Sequence, residues 1–358
     1  MKSRKKIVII GPVPPPTGGV SVHIWRLWYL LKKDFDVELI DEFRDKKPDY
    51  FNIRSLNVFR YFKIIGRSDA VFIHSGTNIL RMGHILASWL LRKKIVVTVH
   101  AYNKREKDWK RLLHQFFFNL ADKIIVVNPV MLERISLPAE KTIVKHAFLP
   151  PVFEEEKALN GNVNRWLIKA REEGRIIICS NAWRLDVWKD QDLYGTDMCI
   201  DATAKLKRNG IPVSFVFNIA TMDNLQSKFD NYQEKIKSMN LENEFLLANE
   251  KLSFVRLMEK SDVVVRPTNI DGDSLSIREA IFLGKPIITS DAVERPAGVI
   301  LHENRNTDDF VEKISETIQK LKKSQNSDPN DQDLSYYAFY KDMFEALLDG
   351  KKTIQKKN

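Results

Sequence analysis

Residues 6–33 read KIVIIGPVPPPTGGVSVHIWRLWYLLKK, and this stretch decides the fold. It begins with an unbroken apolar run, turns through a loop of prolines and glycines, and continues with apolar residues at helical spacing from residue 20 to residue 31. An apolar strand followed by an amphipathic helix is the first half of a βαβ unit. Such units build parallel sheets that are covered by helices on both faces.

The same alternation of strand-like and helical segments continues along the chain. Further apolar, β-branched runs lie at residues 37–40, 70–74, 94–100, 123–128 and 142–145. A break follows at Leu149-Pro150-Pro151 and the polar run 154–164, and strand-like runs resume at residues 175–179, 213–218, 244–247, 263–266 and 286–289. We therefore predict two Rossmann-like α/β domains, residues 1–155 and 165–333, and a closing helix at 334–350.

Composition restricts the class of protein. The 358 residues include 44% hydrophobic residues and only two cysteines, so neither a disordered chain nor a disulfide framework is expected. No apolar run approaches the roughly 18 residues that cross a bilayer, and the apolar run after the basic N-terminus stops at Gly11. These features predict a cytoplasmic protein.

Charge is distributed unevenly. The chain carries a net charge of +10, and residues 1–150 hold 27 Lys and Arg against 13 Asp and Glu. A basic half is typical of proteins that meet nucleic acid, an anionic membrane surface or a phosphorylated substrate. The imbalance alone does not choose among these partners, although no nucleic-acid-binding motif accompanies it.

Two loops that follow predicted strands have the residues of a phosphate site. Gly18 and Gly19 precede a strong helix, whose free N–H groups favour anions, although a stiff loop explains them equally well. Neither a G-x-G-x-x-G fingerprint nor a P-loop is present. Arg184 and Lys189 follow the strand at 175–179 and have the chemistry of a diphosphate clamp, or of two solvated charges.

Strand ends supply two histidines. His74 and His100 each end an apolar strand, and ligands of open α/β sheets bind beyond the carboxyl ends of strands. The pattern fits a structural role for each histidine about as well as a role in ligand binding. No cysteine–histidine cluster has zinc spacing.

Residues 266–280, RPTNIDGDSLSIREA, are the most informative segment. They place Asp271 on a loop and Glu279 in the following helix, with Ser274, Leu275 and Ser276 at its start. Free N–H groups there suit a phosphate, and the two acids suit sugar hydroxyls, although an ordinary turn and capped helix fit as well. An Asp-x-Asp metal site at residues 271–273 is a weak alternative, because residues 34–36 and 190–192 match it too.

Taken together, these segments resemble the family 4 glycosyltransferases, which are retaining enzymes of the GT-B fold. The resemblance covers most of the chain in order. It includes the glycine-rich loop, the histidine segments DAVFIHS and VVTVHAY, the strand ADKIIVVN, the Arg and Lys pair, and an E-x7-E motif in which Asp replaces the first Glu. It implies two Rossmann-like domains facing a cleft, with the closing helix at 334–350 crossing back to the first domain.

The resemblance also implies roles for individual residues. His100 would contact the donor sugar, Arg184 and Lys189 would neutralise the leaving diphosphate, and Asp271 would orient sugar hydroxyls. Glu279 would bind the ribose, and the nucleotide sugar would also contact the following positions: Gly18, Gly19, Ser274, Leu275 and Ser276. The implied enzyme is a metal-independent hexosyltransferase that needs no cofactor, because placed cations and dipoles stabilise the departing charge.

A basic amphipathic segment at residues 103–120 gives the charge imbalance a second interpretation. Its apolar residues share one face and its cations the other, which suits either an anionic membrane surface or a helix packed on the core. Family members that build surface polysaccharides often use lipid-linked acceptors, so the resemblance implies peripheral contact with the inner face of the membrane. Nucleic acid is not an expected partner.

The leading hypothesis is a retaining glycosyltransferase that moves a sugar from a nucleotide-diphosphate sugar to a glycan or lipid-linked acceptor, in cell-surface polysaccharide synthesis. Two alternatives stay open at this point. One is a nucleotide-sugar epimerase of the GT-B fold, and the other is a nucleotide- or carbohydrate-binding scaffold without catalysis.

Overall fold

A computed structural model describes residues 4–15, 18–100, 108–135, 137–222, 225–270, 274–323 and 335–349. The chain forms two compact units. One comprises Met1–Pro150 together with Gln332–Asn358, and the other comprises Pro151–Asp331. The last helix of the chain therefore belongs to the first unit.

The described strands of the first unit form one parallel sheet in the order β3-β2-β1-β4-β5-β6-β7. They are β1 (Lys6–Gly11), β2 (Asp36–Asp41), β3 (Phe51–Asn52), β4 (Ala70–Ile73), β5 (Lys94–Val99), β6 (Lys123–Val126) and β7 (Thr142–Val144). Nearly every residue of β1, β4 and β5 is buried, which explains why their sequences are continuous apolar runs rather than alternating ones.

The second unit repeats the arrangement with a parallel sheet in the order β12-β11-β8-β13-β14-β15 and a small antiparallel hairpin, β9-β10. The strands are β8 (Ile176–Ala182), β9 (Val187–Trp188), β10 (Gln191–Asp192), β11 (Val213–Ile219), β12 (Phe245–Ala248), β13 (Val263–Arg266), β14 (Ile287–Ser290) and β15 (Ile300–His302).

Helices connect the strands in both units. They are α1 (Gly19–Leu31), α2 (Val58–Gly66), α3 (Asn78–Leu90), α4 (Asp108–Asn119), α5 (Gly161–Glu172), α6 (Thr196–Arg208), α7 (Gln226–Ser238), α8 (Phe254–Lys260), α9 (Leu275–Phe282), α10 (Thr307–Lys323) and α11 (Ser335–Leu348). Helix α5 begins inside the polar run 154–164, so part of that run is helical. In the parts of the chain just defined, no helix combines the length and the apolar character needed to cross a bilayer.

The sheet of the first unit has two apolar faces, each covered by different helices. Helices α2, α3 and α4 bury Ile65, Ile85 and Phe118 in one cluster with β1, β4, β5 and β6. Helices α1 and α11 pack on the opposite face, where Leu27 and Phe344 share a second cluster with other residues of the same strands. The predicted fold class, two Rossmann-like parallel sheets with a C-terminal helix, is confirmed.

Candidate functional site

The described site residues that were predicted for each unit lie at or beside the place where the strand order reverses. In the first sheet, β1 pairs with both β2 and β4, so the loop that follows β1 opens at the reversal. In the second sheet, β8 pairs with both β11 and β13. Loops at such reversals diverge and leave a crevice beyond the carboxyl ends of the strands, which is where ligands bind in open α/β sheets.

The loop after β1 is held by one buried carboxylate. Asp41, at the end of β2, accepts hydrogen bonds from Val13 N at 3.0 Å and Phe43 N at 3.1 Å. Its other oxygen accepts from Lys47 Nζ at 2.6 Å and Asn52 Nδ2 at 3.3 Å. Asp41 is fully buried, and these four donors satisfy its charge. It is therefore a structural residue that fixes the start of the loop.

Neither the backbone conformation nor the packing requires glycine at positions 18 and 19. Gly18 has an extended backbone with φ −139°, and its N–H donates to Ser21 Oγ at 2.8 Å. A Cβ added to Gly19 would meet no described atom within 4 Å. Open space at the first residue of a 13-residue helix, α1, fits a site that lets a ligand approach the helix N-terminus.

Three histidine rings meet at the carboxyl edge of the first sheet. His74 follows β4 and His100 follows β5, and His74 Nδ1 lies 3.0 Å from His100 Nε2. His23 of α1 completes the group, with its ring centroid 5.3 Å from that of His74 and 5.5 Å from that of His100. We call His23, His74 and His100 the histidine cluster.

Burial keeps the histidine cluster neutral. Desolvation lowers the pKa of His23 to about 4. A hydrogen bond to Ala147 O at 2.5 Å raises this pKa, but its effect is smaller than that of desolvation. Desolvation also holds the pKa values of His74 and His100 well below the usual value, and the neighbouring imidazoles lower them further. At neutral pH the cluster therefore offers uncharged ring nitrogens, and Nε2 of both His23 and His74 has no hydrogen-bond partner among the described residues.

His23 is absent from the sequence prediction, although it joins both predicted histidines. It lies within a helix, four residues after Gly19, and only the packing of α1 on the sheet directs its ring to the strand ends. The same helix anchors the segment after β7, because Arg26 donates to Leu149 O at 2.9 Å. The sequence signal that could have indicated His23 is a polar residue among the apolar positions of α1.

A buried polar network lies beside the histidine cluster. Glu42 Oε1 accepts from Ser75 Oγ at 2.5 Å and lies 3.0 Å from His84 Nε2. Tyr61 OH lies 2.7 Å from His84 Nδ1, so the chain of bonds links β2 to α2 and α3. Ser75 and His84 share a single carboxylate oxygen rather than bonding each other, which excludes a serine–histidine nucleophile pair here.

In the second unit, Arg184 and Lys189 lie on the loop and hairpin that follow β8. Arg184 Nε pairs with Asp186 Oδ2 at 2.7 Å, and its side chain is half exposed. Lys189 is exposed and forms the tip of the β9-β10 hairpin with Asp190, both at positive φ. The loop after β8 thus holds Arg184, and the hairpin tip Lys189, beyond the carboxyl end of β8.

The hairpin is joined to the loop after β13. Asn269 N donates to Leu193 O at 3.0 Å, and Asn269 Nδ2 donates to Asp192 O at 2.8 Å. Asp192 in turn accepts from Tyr194 N and Gly195 N, each at 2.9 Å, and from the Tyr232 hydroxyl. The loops of two adjacent strands are thus fixed to each other at the strand-order reversal.

Helix α9 begins at this same edge. Ser274 is its N-cap residue, but its hydroxyl caps no backbone N–H of the first turn among the described residues, and Ser274 Oγ lies 3.0 Å from Ser276 Oγ. Leu275 is the first helical residue, and Glu279 is buried in the next turn. Asp271 lies outside the described residues.

Carboxylates of two Asp-x-Asp patterns have structural partners. Asp192 holds the hairpin as described, and Asp34 accepts from Tyr337 OH and from Lys341 Nζ at 2.8 Å on α11. Within the described ranges, no group of three or more His, Cys, Asp or Glu side chains is arranged to hold a metal ion.

Comparisons with known proteins find one family model that matches part of the chain, and solved structures of the same fold. A model of the UDP-N-acetylglucosamine 2-epimerase family matches residues 191–339, which is less than half of the 358-residue chain. No curated protein sequence matches the chain.

Solved structures of the same fold include both transferases and an epimerase-like protein. HepE from Anabaena, in complex with UDP-glucose, is 17% identical, with 89% of this chain and 91% of that chain covered and a TM-score of 0.61. A glycosyltransferase from Rickettsia africae is 17% identical, with 89% of each chain covered and a TM-score of 0.63. A Listeria monocytogenes protein provisionally named a UDP-N-acetylglucosamine 2-epimerase is 14% identical, with 98% of each chain covered and a TM-score of 0.63.

Proposed function

We propose that this chain is a metal-independent retaining glycosyltransferase of the hexosyltransferase type. It moves a sugar from a nucleotide-diphosphate sugar to a glycan or lipid-linked acceptor, in cell-surface polysaccharide synthesis at the inner face of the membrane. The observation that supports this most is the position of the predicted residues. Among the described residues, those of each unit collect at the carboxyl edge, around the strand-order reversal of its own sheet.

The second unit supplies the binding elements for the donor. The N-terminus of α9 offers the N–H groups of Leu275 and Ser276 to a phosphate, and Arg184 and Lys189 add positive charge from the neighbouring loop. When the bond between the sugar and the diphosphate breaks, negative charge accumulates on the diphosphate. Fixed donors stabilise that charge without reorganisation.

Three assignments complete the donor site in this proposal. Glu279 accepts hydrogen bonds from the ribose, and Asp271 accepts them from the sugar hydroxyls. The glycine pair of the first unit leaves room for the nucleotide sugar at the start of α1. Front-face displacement, with the acceptor proton passing to the departing diphosphate oxygen, gives retention at the anomeric carbon.

The first unit supplies the neutral histidine cluster for the sugar. A neutral imidazole both donates and accepts hydrogen bonds, so His100 contacts sugar hydroxyls without adding charge near the transferring carbon. The basic half of the chain, with 27 cations against 13 acids in residues 1–150, suits a phosphorylated acceptor.

The test is donor turnover without divalent metal. We expect the purified chain, with EDTA, to release nucleoside diphosphate from UDP-, GDP- or ADP-sugars, and Arg184→Ala to lower the rate by about 10²–10³. Arg208→Ala is the matched control, because Arg208 ends α6 and is exposed. Normal turnover in Arg184→Ala would contradict the phosphate role, and binding of donor without turnover would indicate a scaffold.

The match of residues 191–339 to the epimerase family favours a second candidate, a UDP-N-acetylglucosamine 2-epimerase. Epimerisation at a sugar carbon must remove and replace a C–H proton, whereas glycosyl transfer leaves that bond intact. Incubation with UDP-N-acetylglucosamine in D₂O therefore separates the two reactions. Deuterium at C2 of the recovered sugar without any acceptor would favour the epimerase, and transfer without deuterium would favour the transferase.

A further inference from the structure

The outer surface of helices α2, α3 and α4 exposes large apolar side chains on all three helices. These helices bury their inner faces in the same cluster on one face of the first sheet, so their outer faces lie side by side. Phe59 on α2 is 91% exposed, and Leu112 and Trp109 on α4 are 66% and 60% exposed. The surface also includes the following exposed residues: Phe62, Leu86, Trp89, Leu90 and Phe116.

Contacts between the helices hold them side by side. Tyr61 of α2 bonds His84 of α3, as described. Lys93, just after α3, donates to Gly66 O at 2.7 Å and Ser68 O at 2.8 Å at the end of α2. Helix α4 packs on α3, and both contribute to the same buried cluster. We call the outer surface of these three helices the helical face.

The charge of the helical face has one sign. Residues 56–67, 78–93 and 108–119 contain eight arginines and lysines, of which Arg81 is buried, and Asp108 is their one acidic residue in the sequence. Exposed apolar residues interleaved with cations match an anionic bilayer, in which apolar side chains enter the headgroup boundary while cations meet phosphates. Exposed tryptophans such as Trp89 and Trp109 suit that boundary, because the indole has an apolar ring and a polar N–H.

A basic cavity borders the helical face at α2. Its volume is about 450 Å³, and its lining includes Arg60, Lys63 and Arg67 together with Phe59. Lys6 also lines it, but Glu38 neutralises Lys6 at 2.7 Å. None of the three α2 cations forms an ion pair with a described residue. The cavity therefore presents a net positive charge next to the most exposed aromatic ring of the surface.

We propose that the helical face docks on an anionic phospholipid bilayer, with a lipid phosphate held in the cavity by Arg60, Lys63 and Arg67. Binding of the bilayer buries exposed apolar area and releases counterions from the headgroups. The inference extends the sequence-based expectation of α4 alone to three helices and a headgroup site. It does not depend on the proposed reaction, because α2 and α3 hold no residue assigned to the donor or the sugar.

Vesicle co-sedimentation of the full chain tests the proposal. We expect binding to vesicles of phosphatidylcholine and phosphatidylglycerol at 3:1 in 50 mM salt, and little binding to phosphatidylcholine alone. The triple variant R60E/K63E/R67E is expected to bind at least 100-fold more weakly, because each cation contributes about fivefold in affinity at an anionic surface. Phe59→Ser is expected to weaken binding without altering the circular dichroism spectrum.

The control variant R208E/K237E/K260E changes the net charge by the same amount on exposed positions of the second unit. It should bind vesicles as the wild type does, and equal losses in both triple variants would overturn the proposal. Inorganic phosphate at constant ionic strength should leave vesicle binding unchanged, whereas full displacement would indicate a site for free anions. A third outcome is that the chain does not bind vesicles but forms dimers as its concentration rises, and that Phe59→Ser no longer dimerises. This outcome would overturn the proposal and assign the helical face to a second copy of the chain.

Discussion

His74 Nδ1 lies 3.0 Å from His100 Nε2, so one of the two rings must donate a hydrogen bond to the other. This bond joins the ends of adjacent strands β4 and β5, and His23 lies against both rings. Three buried imidazoles in contact disfavour protonation of each other, which makes the cluster sensitive to acid.

Acidification should destabilise the protein through His23. Its pKa of about 4 lies below the unfolded value of 6.5, so the unfolded chain binds more protons between these values and stability falls as the pH falls. From pH 7.5 to pH 5, this histidine alone should cost about 2 kcal/mol. Urea denaturation at both pH values measures the loss, and His23→Gln should show a smaller one. An equal loss in His23→Gln would contradict the assignment.

Gly19→Ala should separate ligand binding from folding. The added methyl meets no described atom within 4 Å, and alanine favours a helix by about 0.5–1 kcal/mol over glycine, so stability should hold or rise. Nucleotide-sugar binding, measured by calorimetry, should weaken because the methyl occupies the approach to α1. Unchanged affinity would remove this loop from the proposed site.

Gly11→Ala is the contrasting substitution at the end of β1, before the loop. Its Cβ would lie 2.6 Å from Ile24 Cδ1 and 3.1 Å from His74 Cβ, so the Ile24 side chain and the strand end at His74 would have to give way. We expect a loss of about 1–3 kcal/mol in the free energy of unfolding. A value near zero would show that α1 moves freely on the sheet.

Gly195→Ala should disrupt the junction between the hairpin and the loop after β13. Gly195 has φ +70°, and an added Cβ would overlap the carbonyl oxygen of Pro267. Gly174→Ala is the matched control, because Gly174 has φ +65° but open space around it. The control should cost about 1–2 kcal/mol for the left-handed backbone, and Gly195→Ala should cost clearly more. Thermal denaturation measures both, and equal costs would contradict the overlap.

Tyr340→Phe should leave stability unchanged or raise it. Tyr340 is buried at 1% exposure on α11, and its hydroxyl has no hydrogen-bond partner among the described residues. Removing an unpaired buried hydroxyl avoids a desolvation cost of about 1–3 kcal/mol while the ring stays in the core. Urea denaturation measures the change, and a loss above 1 kcal/mol would show that the hydroxyl is paired.

The long apolar strands were predictable because burial on both faces leaves a continuous signal in the sequence. Strand β1 was predicted at residues 6–10 and forms at Lys6–Gly11, and β13 forms with the predicted bounds. Strands β3, β9, β10 and β15 were missed, since two or three residues are too few to show a period. Their pairing depends on neighbours that the local sequence does not reveal.

The candidate site was predictable only in part. The strand ends that hold His74 and His100 follow from the apolar runs, but their 3.0 Å contact requires β4 and β5 to be adjacent. The role of Asp192 could not be deduced, because its partners Tyr194 and Tyr232 are brought to it by the hairpin and by α7. The place of His23 in the histidine cluster depends in the same way on the packing of α1, which the local sequence does not reveal.

Helix α11 also affects when each part of the chain can fold during synthesis. Phe344 and Tyr340 fill the core beside Ile7 and Leu27, although more than 300 residues separate them in the sequence. The ribosome makes the whole of Pro151–Asp331 before it makes this helix. The first unit, although its sheet is synthesised first, therefore cannot complete its core until α11 has been made, and a growing chain exposes the apolar surface of α1 until then.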